Sequence, residues 1–218
     1  VWGGDGMAHL GLNACAGTDA TLAVIPAGTG NDFARGAGVP GSVKEAVEAL
    51  VRGETRVMDL SLLTNAAGSR YVGAVVSSGY DARVNRATND IRLRFGPLSY
   101  GYIALRELAH FSSLTYRLVI DGVPREVEAM MVAVCNTGVF GGGMQISPEA
   151  DAADGLLDVT IIHKASRGKL LRLLPLTYNG SFVNSPVVER LRARTVEVDG
   201  ADLFLMGDGE EMGEVPAT

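Results

Sequence analysis

The chain has 218 residues, of which 47% are hydrophobic and 20% charged, and a formal net charge of −6, an ordinary globular balance with room for one large or two small domains. The acidic balance argues against nucleic acid as the main partner, because binding to phosphate backbones needs a basic surface. No apolar run approaches the ~20 residues of a membrane-spanning helix, and the two widely separated cysteines favour a reduced cytoplasmic protein.

Two glycine-rich loops open the chain, GGDG at residues 3–6 and AGTGND at residues 27–32. Apolar residues at helical spacing over 7–16 and the apolar run 21–26 predict the order strand end, loop, helix, strand, loop, helix. Such a βαβ unit places both loops at the carboxyl ends of parallel strands, the usual ligand edge of an α/β sheet. Because glycine N–H groups and helix N-termini favour oxyanions, the two loops predict a polyphosphate cradle. The alternative is a pair of tight turns without a ligand.

The rest of the chain is rich in predicted strands. A capping box at residues 42–45 predicts a helix to about residue 52. Strands are predicted at 56–63, 71–77, 114–120, 126–135, 155–162, 194–198 and 203–206, and helices at 80–90, 97–111 and 169–178. We expect residues 1–58 to be a partial α/β nucleotide-binding domain, and residues 59–218 to be a β-sandwich-like domain with a few helices. One βαβ unit is too little for an independent α/β domain, so the chain is expected to be a fragment, truncated at both ends.

Three acidic positions could carry chemistry. Asp5 lies in the first glycine loop, where it could hold magnesium or a ribose hydroxyl, or cap its own helix. In the segment Asp-Gly-Glu, Asp208 and Glu210 would face one side if the segment is extended. Crowding of the two carboxylates would then raise one pKa towards that of a general base. The same Asp-Gly pair also fits a solvated hairpin turn.

A further acidic loop contains Asp151 and Asp154, followed by Gly155 and Leu156. Its carboxylates and a backbone carbonyl could bind a hard cation. The alternative is an Asp-capped turn that leads into a strand.

These blocks resemble the catalytic family of diacylglycerol kinases, which includes bacterial lipid kinases and the sphingosine and ceramide kinases. The resemblance is carried by GGDG, PAGTGNDFAR, the NTG and GGG blocks at 136–138 and 141–143, PEADAADGLLD at 148–158 and DGE at 208–210. The blocks occur in the family's order over nearly the whole chain. One departure is Met7, which stands where the family usually has Thr, so a hydroxyl that could bond a phosphate oxygen is missing.

The resemblance implies an ATP-dependent lipid kinase that transfers the γ-phosphate to a hydroxyl of diacylglycerol or a similar lipid. It implies an NAD-kinase-like α/β domain, a β-sandwich-like domain, a site in the cleft between them, ATP as substrate and Mg²⁺. The ATP-binding residues are then Gly3, Gly4, Asp5, Gly6, Met7, Gly28, Thr29, Gly30 and Asn31. The catalytic carboxylates are then Asp208 and Glu210, and a structural magnesium ion is held by Asp151, Asp154 and the Leu156 carbonyl.

Two other functions stay open: an NAD kinase-like enzyme, because GGDG recurs there, and a non-catalytic nucleotide- or lipid-binding module. The expected partner is a lipid at a membrane surface, reached by a protein that is cytoplasmic or peripheral at the inner membrane face. Basic and leucine residues alternate over 164–174, which fits either an anionic membrane or an ordinary surface helix. Copies of the chain are expected to associate through the open edge of the partial sheet, and the chain alone is expected to be a poor enzyme.

Overall fold

The computed structural model describes residues 1–90, 103, 106–108 and 110–218, with the side chains of 88–90 left out. The chain starts with β1 (Trp2–Gly3), α1 (Asp5–Cys15) and β2 (Ile25–Pro26), followed by α2 (Asp32–Gly36) and α3 (Val43–Val51). The strands β1 and β2 pair in parallel. This confirms the predicted βαβ unit with both glycine loops at the carboxyl ends of its strands, although β2 is shorter than the apolar run 21–26.

The second part is dominated by strands. Its elements are β3 (Ser61–Asn65), β4 (Gly68–Val72), β5 (Val75–Gly79), α4 (Tyr80–Asp90), β6 (Leu114–Ile120), β7 (Val123–Cys135), β8 (Val139–Phe140), β9 (Met144–Gln145), β10 (Leu157–His163), α5 (Arg167–Leu173), two 3₁₀ helices (Leu174–Asn179 and Ser181–Asn184), β11 (Val188–Ala193), β12 (Val196–Asp199), β13 (Phe204–Gly207) and β14 (Glu210–Glu214). Residues 103, 106–108 and 110 are helical, and the rest of the predicted helix 97–111 lies outside the described residues except Phe111.

These strands form two layers that share the long strand β7. One layer has the antiparallel order β11-β10-β7-β5-β13-β14, and β7 also pairs with β6, which pairs with β12. Ala217 bridges Val198 of β12 to Asn65 of β3, so the second layer continues into the β3–β4 hairpin. The core between the layers contains side chains that are at most 2% exposed, among them Tyr116, Leu118, Val159, Ile161 and Leu205. The predicted β-sandwich-like part with a few helices is confirmed, while the domain division at residues 58 and 59 stays a prediction.

Several strands differ from the sequence-based expectation. The single strand predicted over 71–77 is wrong, because the chain leaves β4 at Val72 and enters β5 at Val75. The N–H groups of the two residues between them donate to Asp208 instead of to a strand partner. Strands β8, β9, β11 and β14 were not predicted. The charged and apolar residues of β11 nevertheless alternate with the period of a half-buried strand.

Helix α1 packs directly on the second part. The Asn13 side chain donates from Nδ2 to the Tyr71 carbonyl at 2.9 Å and accepts from the Tyr71 N–H at 2.9 Å, which imitates the pairing of a neighbouring strand. Beside it, Phe33 of α2 packs so closely on Gly73 that a Cβ at Gly73 would lie 2.3 Å from the ring. These contacts place the glycine loops next to the β13–β14 turn.

Candidate active site

The two glycine loops touch each other through their backbones. A Cβ built on Gly28 would lie 2.4 Å from the Gly4 Cα, and one built on Gly4 would lie 3.0 Å from the Gly28 Cα. Gly4 is also the N-cap residue of α1 and makes no side-chain cap, so the first N–H groups of this helix of 11 residues lack the usual cap. Glycine backbone at the uncapped start of a helix is a fitting cradle for phosphate oxygens.

The second loop is shaped by Asn31. This residue has the left-handed backbone conformation with φ 54°. Its Oδ1 accepts from the Gly28 N–H at 2.8 Å, and its Nδ2 donates to the Gly28 carbonyl at 2.9 Å. Thr29 stands exposed at the tip between them. Asn31 therefore fixes the loop, and the exposed residues of the tip are left to meet a ligand.

Asp5 connects the two loops. Its Oδ1 accepts from the Phe33 N–H at 3.0 Å, so it caps α2 rather than its own helix. Its Oδ2 lies over the second loop, 2.9 Å from where a Cβ of Gly30 would stand. The Asp5 carboxylate thus belongs to both loops, as a phosphate-side carboxylate would.

Met7 covers the end of β1. A Cβ at Gly3 would lie 2.7 Å from the Met7 Cγ, and Met7 is 45% exposed. A thioether therefore occupies the place where the resemblance predicts a hydroxyl.

The Asp-Gly-Glu segment forms a tight hairpin. Asp208 and Gly209 have positive φ angles of 51° and 85°, and Gly207 pairs with Glu210 across the turn. Positive φ at both central residues is the signature of a type I′ hairpin turn. Of the two interpretations of this segment, the hairpin turn is confirmed and the extended segment is wrong, because the chain reverses between the two carboxylates.

The two carboxylates have different surroundings. The Asp208 side chain is 1% exposed and accepts from the N–H groups of Gly73 at 2.9 Å and Ala74 at 2.8 Å. His9 Nδ1 of α1 lies 3.2 Å from its Oδ2. Glu210 is exposed, and its Oε1 lies 3.1 Å from the Cβ position of Gly6 in the first glycine loop. Glu210 therefore faces the phosphate cradle, while Asp208 holds the turn in place.

Asp32, which sequence reasoning did not place in the site, joins the second glycine loop to the β-rich part. Its Oδ2 and Oδ1 accept from the N–H groups of Gly142 at 2.7 Å and Gly143 at 2.8 Å, in the turn between β8 and β9. Burial raises the pKa of Asp32, the hydrogen bond from Gly142 opposes the rise, and the charge of Asp5 adds to it. The only sequence signal was its position two residues after Gly30.

Asp81, at the start of α4, is a second buried acid that the predicted set omitted. It is 4% exposed, and its Oδ2 accepts from Ser77 Oγ at 2.6 Å and Asn85 Nδ2 at 3.0 Å. The pKa of Asp81 is raised to about 6, mainly because the group is buried; the hydrogen bonds from Ser77 and Asn85 oppose the rise, and the charge of Asp32 adds to it.

The loop before β10, predicted to hold magnesium, is closed by its own hydrogen bonds. Asp151 accepts from the Ala153 N–H at 3.1 Å, and Asp154 Oδ1 accepts from the Leu156 N–H at 2.9 Å. Arg192 of β11 donates to Asp154 Oδ2, so both Asp154 oxygens are engaged. Within the described ranges no three His, Cys, Asp or Glu side chains are grouped to hold a metal ion. Other groups of the chain therefore engage both oxygens of Asp154, and the assignment of a magnesium ion to Asp151, Asp154 and Leu156 stays a prediction.

Comparison with known proteins gives a consistent result over the whole chain. Residues 1–63 match the family model of the diacylglycerol kinase catalytic domain, and residues 74–218 match that of the YegS C-terminal NAD kinase beta sandwich-like domain. The chain is 40% identical to a diacylglycerol kinase of Mycobacterium tuberculosis over 220 residues, which cover 100% of this chain and 71% of the relative. It is 27% identical to the diacylglycerol kinase of Bacillus subtilis over 222 residues, 98% of this chain and 71% of the relative.

Solved structures agree on the fold. A crystal structure of a diacylglycerol kinase from Bacillus anthracis matches with a TM-score of 0.69 and 19% identity, covering 100% of this chain and 70% of that one. A second crystal structure from the same organism matches with a TM-score of 0.77 and 22% identity, covering 100% and 71%. At these identities the likeness establishes the fold: an NAD-kinase-like α/β part followed by a β-sandwich-like part.

Proposed function

This chain belongs to the diacylglycerol kinase family, and we propose that it transfers the γ-phosphate of ATP to a hydroxyl group of diacylglycerol or a similar lipid. Relatives named diacylglycerol kinase align with the whole chain, which supports a kinase that acts on a lipid alcohol. The observation within the molecule that carries the proposal is the backbone contact of the two glycine loops at the start of α1, with Glu210 beside them.

The triphosphate of ATP would lie on residues 3–6 and 28–30. Backbone N–H groups and the N-terminal end of α1 offset its negative charge. A side chain at Gly4 or Gly28 would separate the loops, so glycine at both positions keeps the cradle closed. Asn31 holds the second loop in shape, and Met7 borders the first without offering a hydrogen bond.

In the proposed transfer reaction, ATP supplies the phosphoryl group and this chain supplies the proton acceptor. The lipid hydroxyl oxygen forms a bond to the γ-phosphorus while the bond from that phosphorus to the β–γ bridging oxygen breaks, and ADP leaves. The hydroxyl proton passes to the Glu210 carboxylate, which is exposed beside the first glycine loop. The buried side chain of Asp208 positions Glu210 by fixing the turn to the residues between β4 and β5.

Magnesium that arrives with ATP fits Asp5. Mg²⁺ in such sites is held by one or two carboxylates together with substrate phosphates and water. Asp5 keeps Oδ2 over the second glycine loop while Oδ1 is bound to α2. When bound, the ion neutralises charge on the phosphate oxygens. This role needs no dedicated cage of protein ligands.

A substrate panel tests the proposal. The protein is purified at its full natural length, because the chain alone is expected to be a poor enzyme. It is incubated with ATP and, in separate reactions, diacylglycerol in detergent micelles, a lipid without a free hydroxyl, and NAD. Mass spectrometry then identifies the phosphorylated product. We expect phosphatidic acid from diacylglycerol, and no product from the other two. A phosphorylated dinucleotide without phosphorylated lipid would instead identify an NAD kinase-like enzyme, and ATP binding without any product would identify a binding module.

A further inference from the structure

The segment between β10 and β11 covers the outer face of the larger sheet layer. It consists of α5 and the two 3₁₀ helices. Its inner side is anchored by Phe182, which is 1% exposed, and by the partly buried Leu173 and Val183, all packed on the cluster around Ile146. Helix α5 itself contains no buried residue. The side of the segment that faces the sheet is therefore packed, and its other side is exposed to solvent.

The open side combines apolar and basic residues. Leu171 is 43% exposed, Leu176 38% and Tyr178 54%, although each would be favoured inside a protein. We call the following set the α5 patch: Arg167, Lys169, Leu171, Arg172, Leu176 and Tyr178. Lys169 and Arg172 line an open hollow together with Leu173 and Leu176. An apolar surface bordered by cations is typical of a segment that lies in a membrane interface.

The charge of this segment opposes that of the protein. Residues 164–185 contain four basic residues and no acidic one, while the whole chain has a net charge of −6. Lys164 is bound to Glu128 at 2.9 Å. The three cations of the α5 patch form no ion pair within the part of the chain that the structure describes. They are available to an anionic partner.

The α5 patch is connected to the candidate active site through one short hairpin. Nε2 of Gln145 in β9 donates to the carbonyl oxygen of Tyr178 in the patch at 3.4 Å. The other end of β9 leads to the turn whose Gly142 and Gly143 N–H groups are bound by Asp32, next to the second glycine loop. The β8–β9 hairpin thus joins the α5 patch to the second glycine loop.

We propose that the α5 patch docks the protein on an anionic membrane surface, with Leu171, Leu176 and Tyr178 among the headgroups and the three cations on lipid phosphates. The inference rests on the proposed function, since the lipid substrate must be drawn from a membrane. In the described parts of the chain no helix has the length and apolar character to span a bilayer, so attachment by such a helix is not seen there. Each cation near an anionic bilayer increases binding about fivefold.

Vesicle sedimentation tests the proposal. The purified protein is mixed with vesicles of phosphatidylcholine alone, or with about one third phosphatidylglycerol. The charge variant Arg167→Gln/Arg172→Gln is compared with Lys44→Gln/Arg52→Gln, which removes two exposed cations elsewhere. We expect the wild type to bind the anionic vesicles, the patch variant to bind about 25-fold more weakly, and the control variant to bind as the wild type does.

The apolar part is tested with Leu171→Asp and the control Val123→Asp, at a position that is 64% exposed at the start of β7. Only Leu171→Asp should weaken vesicle binding, and both should keep kinase activity on diacylglycerol in detergent micelles. Equal binding of patch and control variants, or a wild type that does not bind anionic vesicles, would overturn the docking surface. So would size-exclusion data in which the patch variants dissociate a dimer. Vesicle binding without micelle activity would instead contradict the proposed function alone.

Discussion

A Cβ atom placed on Gly28 would lie 2.4 Å from the Cα atom of Gly4. The two glycine loops can therefore touch here only because position 28 is glycine. Real Cβ atoms do not approach other atoms this closely. The contact joins the start of α1 to the loop after β2. It brings together the two stretches that would hold the phosphates of a nucleotide.

Gly28→Ala is therefore expected to separate the loops and to reduce turnover by roughly 10², the scale of a displacement of about 1 Å at a reacting group. Steady-state kinetics with ATP and micellar diacylglycerol measure the effect. Gly41→Ala is the matched control, because nothing lies within 4 Å of its Cβ position. Near-normal turnover of Gly28→Ala would show that the contact of the loops is not needed for phosphate binding.

Asp208 and Glu210 should respond differently to loss of charge. Glu210→Gln should lower turnover by about 10² or more with little change in thermal stability, as expected when a proton acceptor is lost at an exposed position. Asp208→Asn should lower thermal stability in addition to turnover. In this variant the N–H group of either Gly73 or Ala74 faces the amide N–H₂ group, which cannot accept its hydrogen bond. Turnover and melting temperature of both variants separate the roles. Normal turnover of Glu210→Gln would remove it from the reaction.

The loop before β10 makes a prediction about metal removal. Arg192 neutralises Asp154, so a chelator should leave the melting temperature of the wild type unchanged. Asp154→Ala should lower the melting temperature by about 2–4 °C, with or without magnesium, through loss of the turn and of a partly exposed ion pair. Differential scanning calorimetry tests both. A wild type that loses stability in the chelator would demonstrate a resident ion and restore the magnesium site predicted from the resemblance.

Asp81 makes a prediction about pH. Its pKa is raised to about 6 in the folded protein from 3.8, so the native state binds more protons between these values and stability falls as pH rises through this window. Asp81→Asn has no charge to bury. As pH rises from 4 to 7, the free energy of unfolding of Asp81→Asn should therefore increase relative to that of the wild type by on the order of 1–3 kcal/mol.

Urea unfolding of the wild type and Asp81→Asn at pH 4, 5, 6 and 7 measures this gain. Asp19→Asn, at an exposed position, is the control. A stability difference that is the same at pH 4 and pH 7 would show that the Asp81 carboxyl group is not held neutral by its surroundings.

Local patterns in the sequence were sufficient for the βαβ unit. Helical spacing over 7–16 and the glycine loops predict α1 between two strands, and the parallel pairing of β1 with β2 agrees. The Asp-Gly dipeptide likewise indicates the turn at Asp208 and Gly209, although the same residues are also compatible with an extended segment. Each of these features depends on residues close in sequence.

The assignment of separate roles to Asp208 and Glu210 needed the tertiary structure. Asp208 is fixed by Gly73 and Ala74, more than 130 residues earlier, and by His9 of α1. No spacing rule connects these positions, because strand and helix packing brings them together. The same holds for Asp32 and its bonds to the β8–β9 turn.

The most direct test of the account follows the terminal phosphate itself. The purified wild type and Glu210→Gln are given ATP labelled at the γ-phosphate together with diacylglycerol in mixed micelles, and the lipid extract is separated and counted. We predict labelled phosphatidic acid in amounts equal to the ADP formed, and at least ~10² less from Glu210→Gln. ADP without labelled lipid, or equal labelling by both proteins, would contradict phosphate transfer to lipid at the site formed by the glycine loops and Glu210.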